Sequence, residues 1–219
     1  SLVNLIATSS VCLALLWHSV APNTAASDAV RALSSPNPGS LQTASGASRT
    51  IFTGNPTDLA IVGEGYFLVR SKYTATDEIL ATRVGEFFLD TGKKLLTAEA
   101  GFLLQGFNTP ISINEQYRDT DPVGDLILDK GTLPPGLPRT AAAAEIAGFS
   151  IDGVGRIYLE LTDGSLYTRG QILLQRFTNP GALAGRGIRF YSGWTAAGPL
   201  PGPAKPQSLG LGAIVTGRL

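Results

Sequence analysis

Thr53 to Val69 read TGNPTDLAIVGEGYFLV. An asparagine-proline turn at Asn55-Pro56 leads into a short apolar run, Asp58 to Val62. The Gly63-Glu64-Gly65 bend follows, then a second run, Tyr66 to Val69. Two short runs of large and β-branched residues, each bounded by turn chemistry, read as strands. Gly63-Glu64-Gly65 lacks the third glycine of a dinucleotide fingerprint. It is also followed by a strand pattern, so no helix N-terminus is there to receive a phosphate. The sequence predicts a hairpin bend at this point, serving shape rather than ligand binding.

The same punctuation continues along the chain. Glu86 to Asp90 is a strand bounded by Thr91-Gly92, followed by Lys94 to Thr97 and by Phe102 to Phe107. Parallel strands need crossovers of a dozen residues or more, so runs this close together form an antiparallel meander. Residues 108–148 break the rhythm: Asp125 to Leu128 is one candidate strand, and the prolines and short alanine run that follow suit no long helix. This segment reads as a small insertion or excursion. From Phe149 the rhythm returns, and Asp152-Gly153 and Asp163-Gly164 flank Arg156 to Leu161 as hairpin turns demanding positive φ. Gln171 to Phe177 is the next strand, stopped by Thr178-Asn179-Pro180-Gly181.

The expected fold is therefore mainly β, an antiparallel sandwich or irregular barrel built from two separated segments, residues 51–107 and 149–219. Phe67, Phe88, Leu103, Ile157, Leu159, Ile172, Leu174 and Phe177 form the expected core. The 26 glycines and 14 prolines in 219 residues agree with a chain of many turns. Ahead of the β region lie two other materials. Residues 1–20, SLVNLIATSSVCLALLWHSV, carry no formal charge and form an apolar segment. Three readings compete for it: a signal peptide without its basic region, a membrane span diluted by polar residues, and an apolar helix packing on other chains. The third is preferred. Residues 21–50 are rich in Ala, Ser, Pro, Thr, Asn and Gly, the composition of an extended linker that orders only along a partner.

Charge and chemistry narrow the function. Seventeen basic residues balance seventeen acidic ones, and only 16% of the chain is charged. That argues against nucleic acid as an electrostatic partner and leaves membrane contact only to residues 1–20. Cys12 is the sole cysteine and His18 the sole histidine, so no intramolecular disulfide forms and no thiolate cluster exists. Both sit in the apolar segment and read as packing residues. Asp119, Asp121 and Asp125 in RDTDPVGD miss the calcium-loop spacing, because Val123 holds the third oxygen position and Lys130 the place of the terminal glutamate. They read as a solvated acidic loop. No catalytic, cofactor or metal-binding residue is assigned, and an enzyme would need a carboxylate pair that spacing alone does not reveal.

The opening stretch also resembles the segment that bacterial flagellar hook and basal-body rod proteins carry after their N-terminal linker. TRVGEFFLDTGKKLLTAEAGFLLQGF continues the resemblance, with Arg83, Gly85, Phe87, Leu89, Asp90, Gly92, Leu95, Ala98, Gly101, Leu104, Gln105 and Gly106 on the family pattern. Gly170-Gln171-Ile172 and Phe177-x-Asn179-Pro180-x-x-Leu183 resemble its returning segment. Gly210 to Leu219 resembles the stretch before the family's C-terminal helix. The chain departs from the family in three ways. It stops at Leu219, it lacks the Asn-Thr-x-Gly-Phe-Lys passage after its first residues, and any outer domain within 108–148 is small.

The resemblance implies a structural subunit of the flagellar rod or hook, exported by the type III apparatus without a cleaved signal peptide. Such a subunit assembles helically with its own copies and other axial proteins, transmits torque, and uses no cofactor or small-molecule substrate. The alternative is a secreted or membrane-tethered β module of a non-flagellar surface structure, binding a protein partner.

Overall fold

The computed structural model describes residues 50–71, 78–97 and 99–219. The apolar segment, nearly all of the linker, Cys12, His18 and Ala98 lie outside the described residues. The strands are β1 (Leu59–Val62), β2 (Tyr66–Arg70), β3 (Ile79–Thr82), β4 (Phe87–Leu89), β5 (Leu95–Thr97), β6 (Leu103–Phe107) and β7 (Val123–Asp125). They continue with β8 (Ile146–Ile151), β9 (Arg156–Leu161), β10 (Leu166–Ile172), β11 (Leu174–Gln175), β12 (Ala184–Gly185), β13 (Phe190–Ser192) and β14 (Ala213–Thr216). Every pairing is antiparallel, the fold is mainly β as the turn chemistry predicts, and the sheets do not close into a barrel.

The large sheet runs in the order β12-β13-β3-β2-β6-β10-β9-β8. Strand β6 is its hub, with all five residues of Leu-Leu-Gln-Gly-Phe buried and β2, β5, β7 and β10 as partners. Two glycines allow β6 and β10 to meet: a Cβ on Gly106 would collide with the Gln171 carbonyl, and one on Gly170 would stand 2.8 Å from the Phe107 oxygen. The main core gathers side chains from both halves of the chain, among them Leu59, Phe67, Leu104, Ile157, Ile172, Leu174 and Ile214. Segment 108–148 contributes as well, through β7 on β6 and through buried Leu126 and Leu128.

Several expectations need correction. The meander holds for β4-β5-β6, but β1 and β2 are not paired, so Gly63-Glu64-Gly65 is no hairpin bend. Strand β1 pairs with β14, and β2 pairs with β3, β6 and β11. The bend is a corner that carries the chain from one sheet to another. Phe88 is 43% exposed, while its neighbour Phe87 is 1% exposed and packs edge-on to Phe67 with ring centroids 5.4 Å apart. With both residues aromatic, period-2 patterning left the phase of β4 open. The strand expected at Asp125 to Leu128 instead lies at Val123–Asp125, with Ile127 joining Lys94 as an isolated bridge. Strand β3 has no counterpart among the expected strands, and the strand expected from Gln171 begins earlier, at Leu166.

Hairpins do form at both Asp-Gly pairs, by different means. Gly164 has φ +81°, as such a turn requires. In the first turn the left-handed residue is Gly155, at φ +78°, and Asp152 Oδ1 accepts the Val154 and Arg156 N–H groups at 3.0 and 2.8 Å.

Candidate functional site

The Asn-Pro turn sets the start of β1. The Asn55 side-chain amide donates to Asp58 Oδ1 at 3.1 Å, and the Asp58 N–H donates to the Asn55 carbonyl at 3.0 Å. Asp58 is thereby turned into the ladder, where its carbonyl accepts the Gly217 N–H at 2.8 Å. From there β1 and β14 run as a two-stranded ribbon with Leu59 opposite Thr216 and Val62 opposite Ala213. On the other side of β1, Leu59 N–H donates to the Gly85 carbonyl at 2.8 Å. A Cβ on Gly85 would collide with the Leu59 carbonyl, so only glycine lets the two backbones meet there.

One end of the ribbon is a stem. Ile51 and Leu219 exchange both backbone hydrogen bonds, at 2.7 and 3.0 Å, and Phe52 bridges to Arg218. The chain therefore enters the domain at Ile51 directly beside Leu219. Ile51 is 71% exposed and Phe52 74%, a pair of large apolar side chains standing in solvent.

The other end is the glycine corner. Gly63 and Gly65 take φ of +112° and +120°, which non-glycine residues rarely adopt. Opposite them lies a second Gly-x-Gly, Gly210-Leu211-Gly212, whose Gly212 N–H donates to the Glu64 carbonyl at 2.7 Å. Arg83 closes the corner from outside, its Nη1 donating to the carbonyls of Gly63 and Gly65 at 2.9 and 2.6 Å. Its guanidinium carbon also lies 5.8 Å from the Tyr66 ring centroid, within cation–π reach. Sequence reasoning placed Arg83 on a family pattern but did not see this role. The available signal was the pair of Gly-x-Gly motifs, which need each other's backbone.

Beside β1 runs a cleft of about 540 Å3 lined by Leu59, Ile61, Arg83, Glu86, Glu99 and Arg189. Neither histidine nor cysteine occurs beyond His18 in the sequence, so acid–base chemistry in this cleft has only carboxylates and arginines to draw on. Among the described residues no group of His, Cys, Asp or Glu is placed to hold a metal ion. The three aspartates of RDTDPVGD do not converge. Asp119 pairs with Lys205 at 3.1 Å, and Asp121 accepts the Arg118 N–H at 2.7 Å.

Asp125 leaves the solvated loop that the sequence suggested. Its carboxylate takes two hydrogen bonds from Arg70, at 2.9 and 2.7 Å, and a third from Gln105 at 2.9 Å, with Lys94 at 3.4 Å. Burial pushes its pKa up, but the bonds from Arg70 and Gln105 and the charges of Arg70 and Lys94 outweigh burial. The carboxyl is held below its usual range. This cluster ties β7 to β2 and β6.

No family model matches the sequence. Over 181 residues the chain is 26% identical to the flagellar basal-body rod protein FlgG of Bacillus subtilis (strain 168). The chain is similar in sequence to a flagellar rod protein. The alignment covers 83% of this chain and 56% of that protein, so the chain spans little more than half the length of this relative. A solved flagellar hook protein, FlgE2 of Helicobacter pylori, shares 15% identity with a TM-score of 0.27 over 68% of this chain and 37% of that one. Among the described residues no helix is long and apolar enough to cross a membrane.

Proposed function

We propose that this chain is a structural subunit of the flagellar axis, in the rod or hook, that works without catalysis. It is exported, assembles helically with its own copies and other axial proteins, and transmits torque in the periplasmic or extracellular part of the flagellum. The observation that carries the reading is the similarity to a basal-body rod protein over 181 residues. The stem supports it mechanically. Load arriving through the segment before Ile51 meets a hydrogen-bonded strand pair, Ile51–Leu219 and β1–β14, braced by Arg83 and Gly85. A balanced charge supports it too, since seventeen positive and seventeen negative side chains give packed copies no net repulsion.

The test is electron cryo-microscopy of isolated hook–basal bodies carrying an epitope on this chain. Density and label at a helical rod or hook position are expected. Recovery of the protein only off the flagellum, with a native N-terminus cut near Ala21–Ser27, would replace this reading with a secreted or tethered module.

A further inference from the structure

Residues 129–144 pack on β9 and β10 without joining the sheet. Both ends are pinned through backbone: the Leu128 N–H donates to the Lys93 carbonyl at 2.7 Å, and the Thr162 N–H to the Glu145 carbonyl at 2.9 Å. Between these pins the described backbone–backbone hydrogen bonds of the segment are internal, such as Ala144 N–H to the Thr140 carbonyl at 3.1 Å, and none of them reaches a strand. Beneath the segment, Leu159, Leu161 and Tyr167 are buried with Ala141 and Ala144 in a small apolar cluster distinct from the main core.

Side chains hold the segment down. The Tyr167 hydroxyl donates to the Lys130 carbonyl at 2.7 Å, and the Thr140 hydroxyl donates to Asp163 Oδ2 at 2.6 Å. Lys130 Nζ closes the segment on itself, donating to the carbonyls of Ala142 and Ala144, both at 2.8 Å. The strongest tie is Arg169, a buried residue of β10. Its Nε and Nη2 donate to Asp129 Oδ1 at 3.2 and 2.7 Å, and Nε also donates to the Asp129 carbonyl at 2.8 Å. The register of β10 on β9 shifts between Thr168 and Gly170, a bulge that re-aims the side chain at Arg169. Its Nη1 donates to the Asn108 carbonyl, in the gap where β10 leaves Phe107 and meets Ile111. One guanidinium thus joins three parts of the chain.

We infer that residues 129–144 are a strap that opens as a unit while the sheet stays intact. The Arg169–Asp129 pair is its latch, and opening bares the apolar face formed by Leu159, Leu161 and Tyr167. The ground for this is the difference in what must break. Opening exchanges a few side-chain bonds and one small apolar cluster for water, and the Asp129 side chain is already 50% exposed. Unfolding the sheet breaks the strand ladders and the main core as well. The inference concerns a single chain and is independent of the axial role.

Thiol labelling of the full chain in low urea tests this. On a Cys12→Ser background, Ala141→Cys reports from the strap, Leu159→Cys from the strand beneath it and Val69→Cys from the main core, all at fully buried positions. Circular dichroism checks that each variant folds. The two strap reporters are expected to react at least about tenfold faster than Val69→Cys, and with a weaker dependence on urea, because opening exposes less surface than unfolding. Ile61→Val weakens the main core in the closed and open forms alike. It is therefore expected to speed Val69→Cys about fivefold and to leave Ala141→Cys unchanged. Asp129→Ala is expected to speed Ala141→Cys about fivefold. Equal rates and urea slopes at all three reporters, or Ala141→Cys quickened by Ile61→Val, would mean that the segment leaves only when the domain unfolds, and would overturn the strap. Labelling of Ala141→Cys that ignores Asp129→Ala overturns the latch.

Discussion

Gly212 passes so close to the corner at Gly63 that a Cβ on Gly63 would stand 2.9 Å from the Gly212 Cα. The clash is mutual, since a Cβ on Gly212 would collide with the Val62 carbonyl. This contact brings the ends of two separated chain segments together, and it leaves no room for a methyl group. Gly63→Ala and Gly212→Ala are each expected to destabilise the domain by about 1–3 kcal/mol, Gly63 also through its φ of +112°. Their effects should not add, because either change alone pushes the same two backbones apart. Urea denaturation of both singles and the double variant measures this; full additivity would mean the two sites are independent.

Arg83 is the only side chain that holds two carbonyls of the corner among the described hydrogen bonds. Arg83→Ala should cost about 1–2 kcal/mol, reduced from a buried charged bond by its exposure. Arg83→Lys should recover only part of that, since an ammonium on the shorter lysine stem could donate to the carbonyls but has no guanidinium plane to lay against the Tyr66 ring. Amide exchange gives the sharper readout. The Gly212 N–H, donated to Glu64, is expected to lose protection in Arg83→Ala while the β9–β10 amides keep theirs.

Phe87 and Phe88 are adjacent aromatics with opposite fates, 1% and 43% exposed. Phe87→Ala should cost about 3–5 kcal/mol, as a fully buried aromatic lost from the core. Phe88→Ala should stay within about 1 kcal/mol. Equal losses measured by thermal or urea unfolding would contradict the register of β4 on β5, in which Phe87 faces Thr97 and Phe88 faces Leu96.

This pair shows where the sequence was legible and where it was not. Turn chemistry located β1, β2, β5, β6 and β9, because glycine, proline, asparagine and aspartate act locally. Seven of the eight expected core residues are buried, since large apolar side chains between turns have few other places to go. Phe88 failed because two neighbouring aromatics carry no phase. The Gly63-Glu64-Gly65 corner failed for a deeper reason: strand, bend and strand look alike whether the strands pair with each other or with distant ones. The partner of β1 lies some 150 residues away in β14, beyond any local signal. Asp125 failed likewise, since Arg70 stands 55 residues away in sequence and no spacing rule connects them.

Asp125 carries a pH dependence of known sign. Its folded pKa is held below the unfolded carboxylate value of about 3.9, by Arg70, Gln105 and Lys94 against the opposing effect of burial. Its contribution is therefore present above that value and is lost as pH falls through the lower folded pKa. Asp125→Ala is expected to cost about 1–3 kcal/mol at pH 7 and progressively less below about pH 4. Urea titrations at pH 7 and pH 3 compare the two proteins. A loss of the same size at both would mean that the carboxylate's charge does not contribute.

The ribbon yields the prediction that bears most directly on function. Among the described strands β14 is the sole hydrogen-bonded partner of β1, and Ile214 adds a buried side chain to the main core. Deleting residues 213–219 removes four ladder positions, the Phe52–Arg218 bridge and the paired Ile51–Leu219 bonds at once. The large sheet keeps all its own pairings, so the deletion should separate two levels of order. Far-UV circular dichroism should retain most of its β signal, while amide exchange over Ile51–Val62 should approach that of free peptide. If the stem transmits load, the truncated chain should also fail to restore motility when it replaces the full chain, although it is still made and exported. Retained protection across β1 would show that the contacts at Gly85 and Glu86 hold the strand without β14, and would count against the stem as the load-bearing element of the proposed role.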